Sequence, residues 1–325
     1  MVRSLLAVSL VLLSGSAQAQ LSTDPLRNWS SIERSVVTID SGARPVGLGA
    51  LIDRSGLFLV HRNVLPSTQS VGRLSNGQVV MLSLKATDEI SQMSVVQAEP
   101  WDRSIAPEVA LAPVEMNAGQ RLILGLPNAP LSGELVSGDR SGILRPSLRY
   151  APLLELRSEA PTDRLGGALV FTPDGTLAGV IHATLAPAQP DLIPRSPASQ
   201  PYGPRPMTTS YALGPEILQK VIEGFRSPSR RVVYPSIGAF FSDASQGVLV
   251  QEVRAGSPAD QAGIQSRDVV LLINQRPIKD SIDFAVQLFR QRVGSVITLR
   301  IRRDQQQLDV KVAVAGTDET RIPLR

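Results

Sequence analysis

Between Val36 and about Leu185 the chain is a succession of short apolar runs, among them SVVTI, LFLV, VVMLSL, RLILGL, PLLEL, GALVF and LAGVIHATL. Gly, Asn, Asp or Pro turns separate many of them. Runs of this length, rich in Val, Leu and Ile, predict the strands of a sandwich or barrel. The pattern changes at TSYALGPEILQKVIEGFRS. A strand leads there into a Pro suited to a first helical turn, and Ile217, Val221 and Ile222 follow at helical spacing. A further unit begins at Ser236. SIGAFF and GVLVQEV read as strands, and SPADQAG as a short helix with a Ser N-cap and a closing Gly263. DSIDFAVQLFRQ reads as an amphipathic helix, and SVITLRIRRDQQQLDVKVAV as a hairpin with alternating faces. Two stretches break the pattern. Residues 186–207 are rich in Pro and Ser and predict a long surface loop, and 226–235 reads as a linker.

Composition narrows the class. A length of 325 residues suggests two domains, and 42% hydrophobic against 19% charged residues is enough apolar content for packed cores. The net charge of +4 is spread along the chain and aromatics are only 4%, so no basic stripe with stacking rings marks a nucleic-acid surface. MVR followed by LLAVSLVLL and the Ala17-Gln18-Ala19 triplet reads as a signal peptide over residues 1–19. The expected location is therefore the periplasm or the outside of the cell envelope, with no stable membrane span. The chain has no cysteine and only His61 and His182 as histidines. No disulfide, no metal centre and no cofactor is expected.

The string VRAGSPADQAGIQSRDVVLLIN, within residues 236–316, resembles a PDZ domain of the bacterial protease type. That resemblance implies a β-sandwich with two helices that binds peptide C-termini by strand addition. Ser236, Ile237, Gly238 and Ala239 match the loop whose amides hold the ligand carboxylate. Ser236 stands where the family usually has an aromatic residue, which predicts weak binding. Phe284, Ala285 and Leu288 are the candidate groove residues of the helix, with the core as the alternative for each.

Residues 28–225 resemble the chymotrypsin-like domain of HtrA/Deg-type serine proteases, a double six-stranded β-barrel. The matches run in order: PVGLGALI, GLFLVHRNVL, SNGQVVMLSLKATDEISQMSVVQAE, GQRLILGLP, GELVSGDR, TDRLGGALVFTPDGTLAGVIHA and SYALGPEIL. The family's His, Asp and Ser positions then hold Asn63, Gln92 and Leu165. None of these side chains is a base or a nucleophile near neutral pH. Asp163, Arg164, Leu165, Gly166 and Gly167 form the turn whose amides would make an oxyanion hole. The resemblance with these departures predicts that the chain is no enzyme. It predicts an exported protein that binds peptides or unfolded C-termini through the PDZ domain and serves as scaffold, adaptor or regulator. The alternative is an active endopeptidase in envelope protein quality control. The family's trimer interface lies in the N-terminal segment, and LRNWSSIERSVVTI, with Trp29 and Ile32, makes a homotrimer or a mixed assembly with an active relative the expected higher-order form.

Overall fold

The computed structural model describes residues 25–321, except 105, 146, 161–163, 183–184, 189–206 and 319. The signal-peptide stretch and most of the Pro-rich segment lie outside the described residues. A four-residue helix α1 (Trp29–Ile32) opens the chain. Six strands follow: β1 (Val36–Ser41), β2 (Arg44–Asp53), β3 (Leu57–His61), β4 (Gln69–Leu74), β5 (Val79–Asp88) and β6 (Met93–Glu99). They run in the order β5-β4-β1-β2-β3-β6, and pairing of β5 with β6 closes them into a barrel. The second set is β7 (Arg121–Gly125), β8 (Leu131–Leu144), β9 (Arg149–Ser158), β10 (Leu169–Phe171), β11 (Leu177–Ile181), β12 (Ala186–Pro187) and β13 (Thr208–Leu213). Its order is β12-β8-β7-β10-β11-β13-β9, closed by β8 against β9. Two six-stranded barrels result, with β12 as an appendage, and closure leaves few ladder groups unpaired.

Each barrel has its own core, the first around Phe58, Leu51 and Val60, the second around Leu124, Leu156 and Ile181. A third cluster joins the two barrels. Leu59, Met93 and Val95 of the first meet Leu153, Phe171 and Val180 of the second there. Trp29 packs edge-on against Phe171, with ring centroids 6.3 Å apart, and so serves the seam of its own chain. Helix α2 (Pro215–Arg226) buries Ile217, Leu218, Val221, Ile222 and Phe225 on one stripe and covers the seam.

The C-terminal unit holds β14 (Tyr234–Ser236), β15 (Ala239–Asp243), β16 (Val248–Val253), α3 (Pro258–Gln261), β17 (Val269–Ile273), β18 (Arg276–Pro277), α4 (Ser281–Phe289), β19 (Val296–Arg303), β20 (Gln306–Ala313), β21 (Ala315–Thr317) and β22 (Thr320–Arg321). The main sheet runs β15-β16-β17-β19-β20, which leaves β15 at an edge. Asp280 caps α4 by accepting the Asp283 N–H at 2.7 Å. Phe284 and Phe289 lie five residues apart, about 140° around a helix. Phe284 therefore enters the core of this unit, while Phe289 joins the inter-barrel cluster. Arg290, next in the chain, reaches Asp139 at 2.5 Å and Glu216 at 3.3 Å. The chain end returns to the first barrel, where β22 pairs with β5. Tyr234, inside the stretch read as a linker, is fully buried and donates its hydroxyl to Asp88. Asp88 also accepts the Ser91 hydroxyl at 2.5 Å. Burial pushes its carboxyl up, against these hydrogen bonds. The C-terminal unit is thus fixed to both barrels.

Candidate functional site

Three segments far apart in sequence meet at the mouth of the inter-barrel seam. They are the end of β3, the turn before β6 and the turn before β10. At the first, β3 breaks into a single 3-10 turn over Arg62–Val64. Arg62 donates its N–H to the Gln92 carbonyl at 3.0 Å, and its guanidinium reaches Glu89 at 2.7 Å and Gln92 Oε1 at 3.1 Å. Asn63 is exposed, and its N–H donates to His61 Nδ1 at 3.2 Å. The third segment lies against the first. A Cβ at Gly167, where φ is +86°, would stand 2.6 Å from Val64 Cγ1 and 3.4 Å from His61 Cβ. Only glycine permits that approach.

The structure therefore brings the segments of Asn63, Gln92 and Leu165 together, as the resemblance requires, but not as three side chains around one cavity. Leu165 is fully buried in the core of the second barrel. Gln92 turns its amide toward Glu89 and Arg62. In the nucleophile turn, the Gly167 N–H is bonded to the Ile181 carbonyl at 2.8 Å, and the Ala168 N–H to Leu165 at 2.9 Å. The Gly167 amide is thus committed to the fold. Arg164 is exposed, Gly166 half-buried, and Asp163 lies outside the described residues.

Sequence reasoning treated His61 and His182 separately. The structure joins them: their rings stand edge to face with centroids 4.4 Å apart, one at the end of β3 and the other just past β11. Both are almost wholly buried. Burial lowers His61 to about 3, with His182 and Arg62 adding to the effect, and burial lowers His182 to about 4. Both imidazoles are neutral at ordinary pH, and the hydrogen bond from Asn63 puts the His61 proton on Nε2. The one signal that could have found the pair is that the chain's only two histidines stand at the ends of strands leading to the seam, His61 closing β3 and His182 following β11.

The second candidate site is the free edge of β15. The loop before it turns at Gly238, with φ +74°, where a Cβ would stand 2.4 Å from Ser257 Cβ. The Gly238 carbonyl accepts the Arg254 N–H, and the Ile237 carbonyl accepts the Ala259 N–H. The loop is thereby pinned to β16 and α3. Ser236 Oγ accepts the Gly238 N–H at 3.3 Å. Ile237 points its side chain into the core. Of the helix candidates, Ala285 and Leu288 are half-buried, and Leu288 packs against the core of this unit. Phe284 is corrected to a core residue: it is 1% exposed and packs on Phe241 at 4.4 Å, because its turn of the helix faces the sheet.

Comparison with known proteins agrees with both units. Residues 235–314 match the PDZ domain family. The serine endoprotease DegS of Escherichia coli is 24% identical over 292 residues, covering 83% of this chain and 77% of that protein. The periplasmic serine endoprotease DegP of the same organism is 24% identical over 293 residues, covering 85% of this chain and 58% of that protein. Among solved structures, an HtrA-type protease AlgW bound to a decapeptide superposes with TM-score 0.64 at 15% identity, over 90% of this chain and 99% of that one. These findings correct the expectation that the chain is no enzyme. The relatives that match both domains are named serine endoproteases, and nothing in the comparison shows that a triad has been lost. The assignment of the triad positions to Asn63, Gln92 and Leu165 rested on residue-by-residue alignment. At this identity the turns at strand ends admit shifts of one or two residues, the distance between Asn63 and His61.

Proposed function

This chain belongs to the HtrA/Deg-type serine protease family with a C-terminal PDZ domain, and from that premise we propose that it is exported and works by capturing peptide or unfolded-protein C-termini on its PDZ domain. The observation that supports this best is β15. It is the edge strand of the PDZ sheet, it follows a glycine loop with Gly238 at φ +74°, and it packs on α4 through Phe241 and Phe284. An edge strand offers main-chain groups to a ligand strand, and the loop offers amides to its carboxylate. Since α4 also joins the inter-barrel core through Phe289, a captured ligand would be held in fixed relation to the barrels, as a scaffold or regulator needs. The test is binding of labelled peptides to the mature protein. Free-acid peptides bind with micromolar or weaker affinity and their C-terminal amides do not. Equal binding of the two forms overturns the reading.

A second reading, endoproteolysis, is favoured by the relatives' names and by the meeting of the three segments at the seam. Cleavage of unfolded casein, together with labelling by a serine-directed phosphonate and mapping of the labelled residue, tests it. Absence of both cleavage and labelling overturns it.

A further inference from the structure

A thioether joins the two imidazoles inside the inter-barrel seam. His61 closes β3, and in the β3–β6 pairing it stands directly opposite Met93. Residues opposite one another in an antiparallel pair share a face, with Cβ atoms about 5 Å apart. Leu59 and Val95, two residues along on the two strands, belong with Met93 to the cluster between the barrels, so that shared face is the seam. His182 comes in from the second barrel, its ring centroid 4.4 Å from that of His61 and its plane at 88° to it. All three side chains are buried, with Met93 at 0%, His61 at 1% and His182 at 4% exposure. The Nε2 of His61 is enclosed without a hydrogen-bond partner. A buried donor left unpaired is a standing cost to the fold and marks a place where something else can bind.

We propose that His61, His182 and Met93 form a site for one soft monovalent cation, Cu(I) or its analogue Ag(I). Two histidines are too few for a zinc centre, and the expectation of no metal counted only them; Met93 changes the donor set. Imidazole and thioether together suit Cu(I), whereas cations that need oxygen ligands find no cluster of carboxylates with these histidines among the described residues. Charge points the same way. A dication would bring two unneutralised charges into an apolar seam, and a monovalent ion brings one. The spacing is close to what a shared metal needs: two imidazoles at about 2.0 Å from one tetrahedral ion have ring centroids about 5 Å apart. Coordination through His61 Nε2 moves the imidazole proton to Nδ1, with no proton gained or lost. Nδ1 then gives up the Asn63 N–H that it accepts at 3.2 Å, and Asn63, exposed on its turn, passes that N–H to water. The unpaired buried donor disappears, and binding in the seam is felt at the turn over its mouth.

The experiment uses the full mature chain in competition with the Cu(I) chelator bicinchoninate under anaerobic, reducing conditions, with Ag(I) as a redox-inert second probe. Wild type takes up one equivalent of Cu(I) and does not retain Zn(II) at the same concentration. His61→Gln and His182→Gln each weaken uptake by about a hundredfold or more, beyond the loss of an outer-shell partner. Met93→Leu, which nearly conserves volume, weakens it by about tenfold. Two readouts need no variant to fold. Ag(I) raises the melting temperature of wild type, as a ligand of the folded state does, and in nitrogen-15 spectra it moves the Asn63 amide and the signals of both imidazoles. Absence of uptake, uptake that survives His61→Gln or His182→Gln, an unchanged affinity in Met93→Leu, or Ag(I) binding that leaves the imidazole signals in place overturns the proposal.

Discussion

Lowering the pH from 7.5 to 5 is the simplest perturbation that reaches the inter-barrel seam. His61 and His182 have an ordinary value of 6.5 when unfolded, and in the fold they are lowered to about 3 and about 4. A group whose folded value is depressed binds fewer protons folded than unfolded, so stability falls as pH drops below 6.5 and goes on falling to the folded value. At pH 7.5 the cost is negligible. At pH 5 the unfolded imidazoles are charged and the folded ones are not, and each costs about 2 kcal/mol, or about 4 kcal/mol for the pair. Among the described residues, no anion acts on either imidazole to compensate. The charges that act on His61 are His182 and Arg62, and both oppose its protonation. Urea unfolding followed by tryptophan fluorescence is a direct assay, since Trp29 sits at the seam. Wild type loses stability steeply from pH 7 to 5. His61→Gln and His182→Gln each remove about half of the histidine-dependent slope, and the double variant removes nearly all of it, whatever their stability at pH 7.5. A slope that persists in the double variant, or imidazole NMR signals that titrate near 6.5 in the folded wild type, would refute the reasoning.

Leu165→Ala removes a fully buried side chain from the second barrel and is expected to cost about 2–4 kcal/mol in urea unfolding; a neutral outcome would mean that the turn is not packed as described. Gly238→Ala puts a Cβ against Ser257 at a φ of +74° and should lower the melting temperature and weaken peptide capture together, as thermal scans and polarisation would show. Ending the chain after Val314 removes β21, β22 and the Arg231–Asp318 pair, which spans 2.8 Å. Trypsin should then cut the Arg226–Arg231 stretch several-fold faster, and unchanged digestion would show that the tail does not hold the PDZ domain in place.

The apolar runs and turn spacing made both barrels readable, because strands such as β3 and β11 are buried on both faces and so read as continuous apolar stretches. The PDZ unit was readable from its ordered motif. The contact between the domains was not. Tyr234 sits in a short polar stretch that looks like a linker, and its burial depends on Asp88, a residue 146 positions away. Phe284 and Phe289 belong to one apolar helix, and only the packing partners decide that they enter different cores. The pairing of His61 with His182 was hidden for the same reason: each lies in an ordinary apolar run, and the seam that joins them is tertiary. β22 is two residues long, too short for any periodicity to mark it.

The account depends most on the loop before β15 being a receptor for a chain end. Nitrogen-15 amide spectra of the mature protein, titrated with a free-acid peptide and with its C-terminal amide, test this at the residues concerned. The account predicts that the free acid shifts the amides of Gly238, Ala239 and Phe240 and of the β15 edge, while the amide form leaves them in place. Shifts of the same size with both peptides, or shifts confined to residues far from β15, would contradict it.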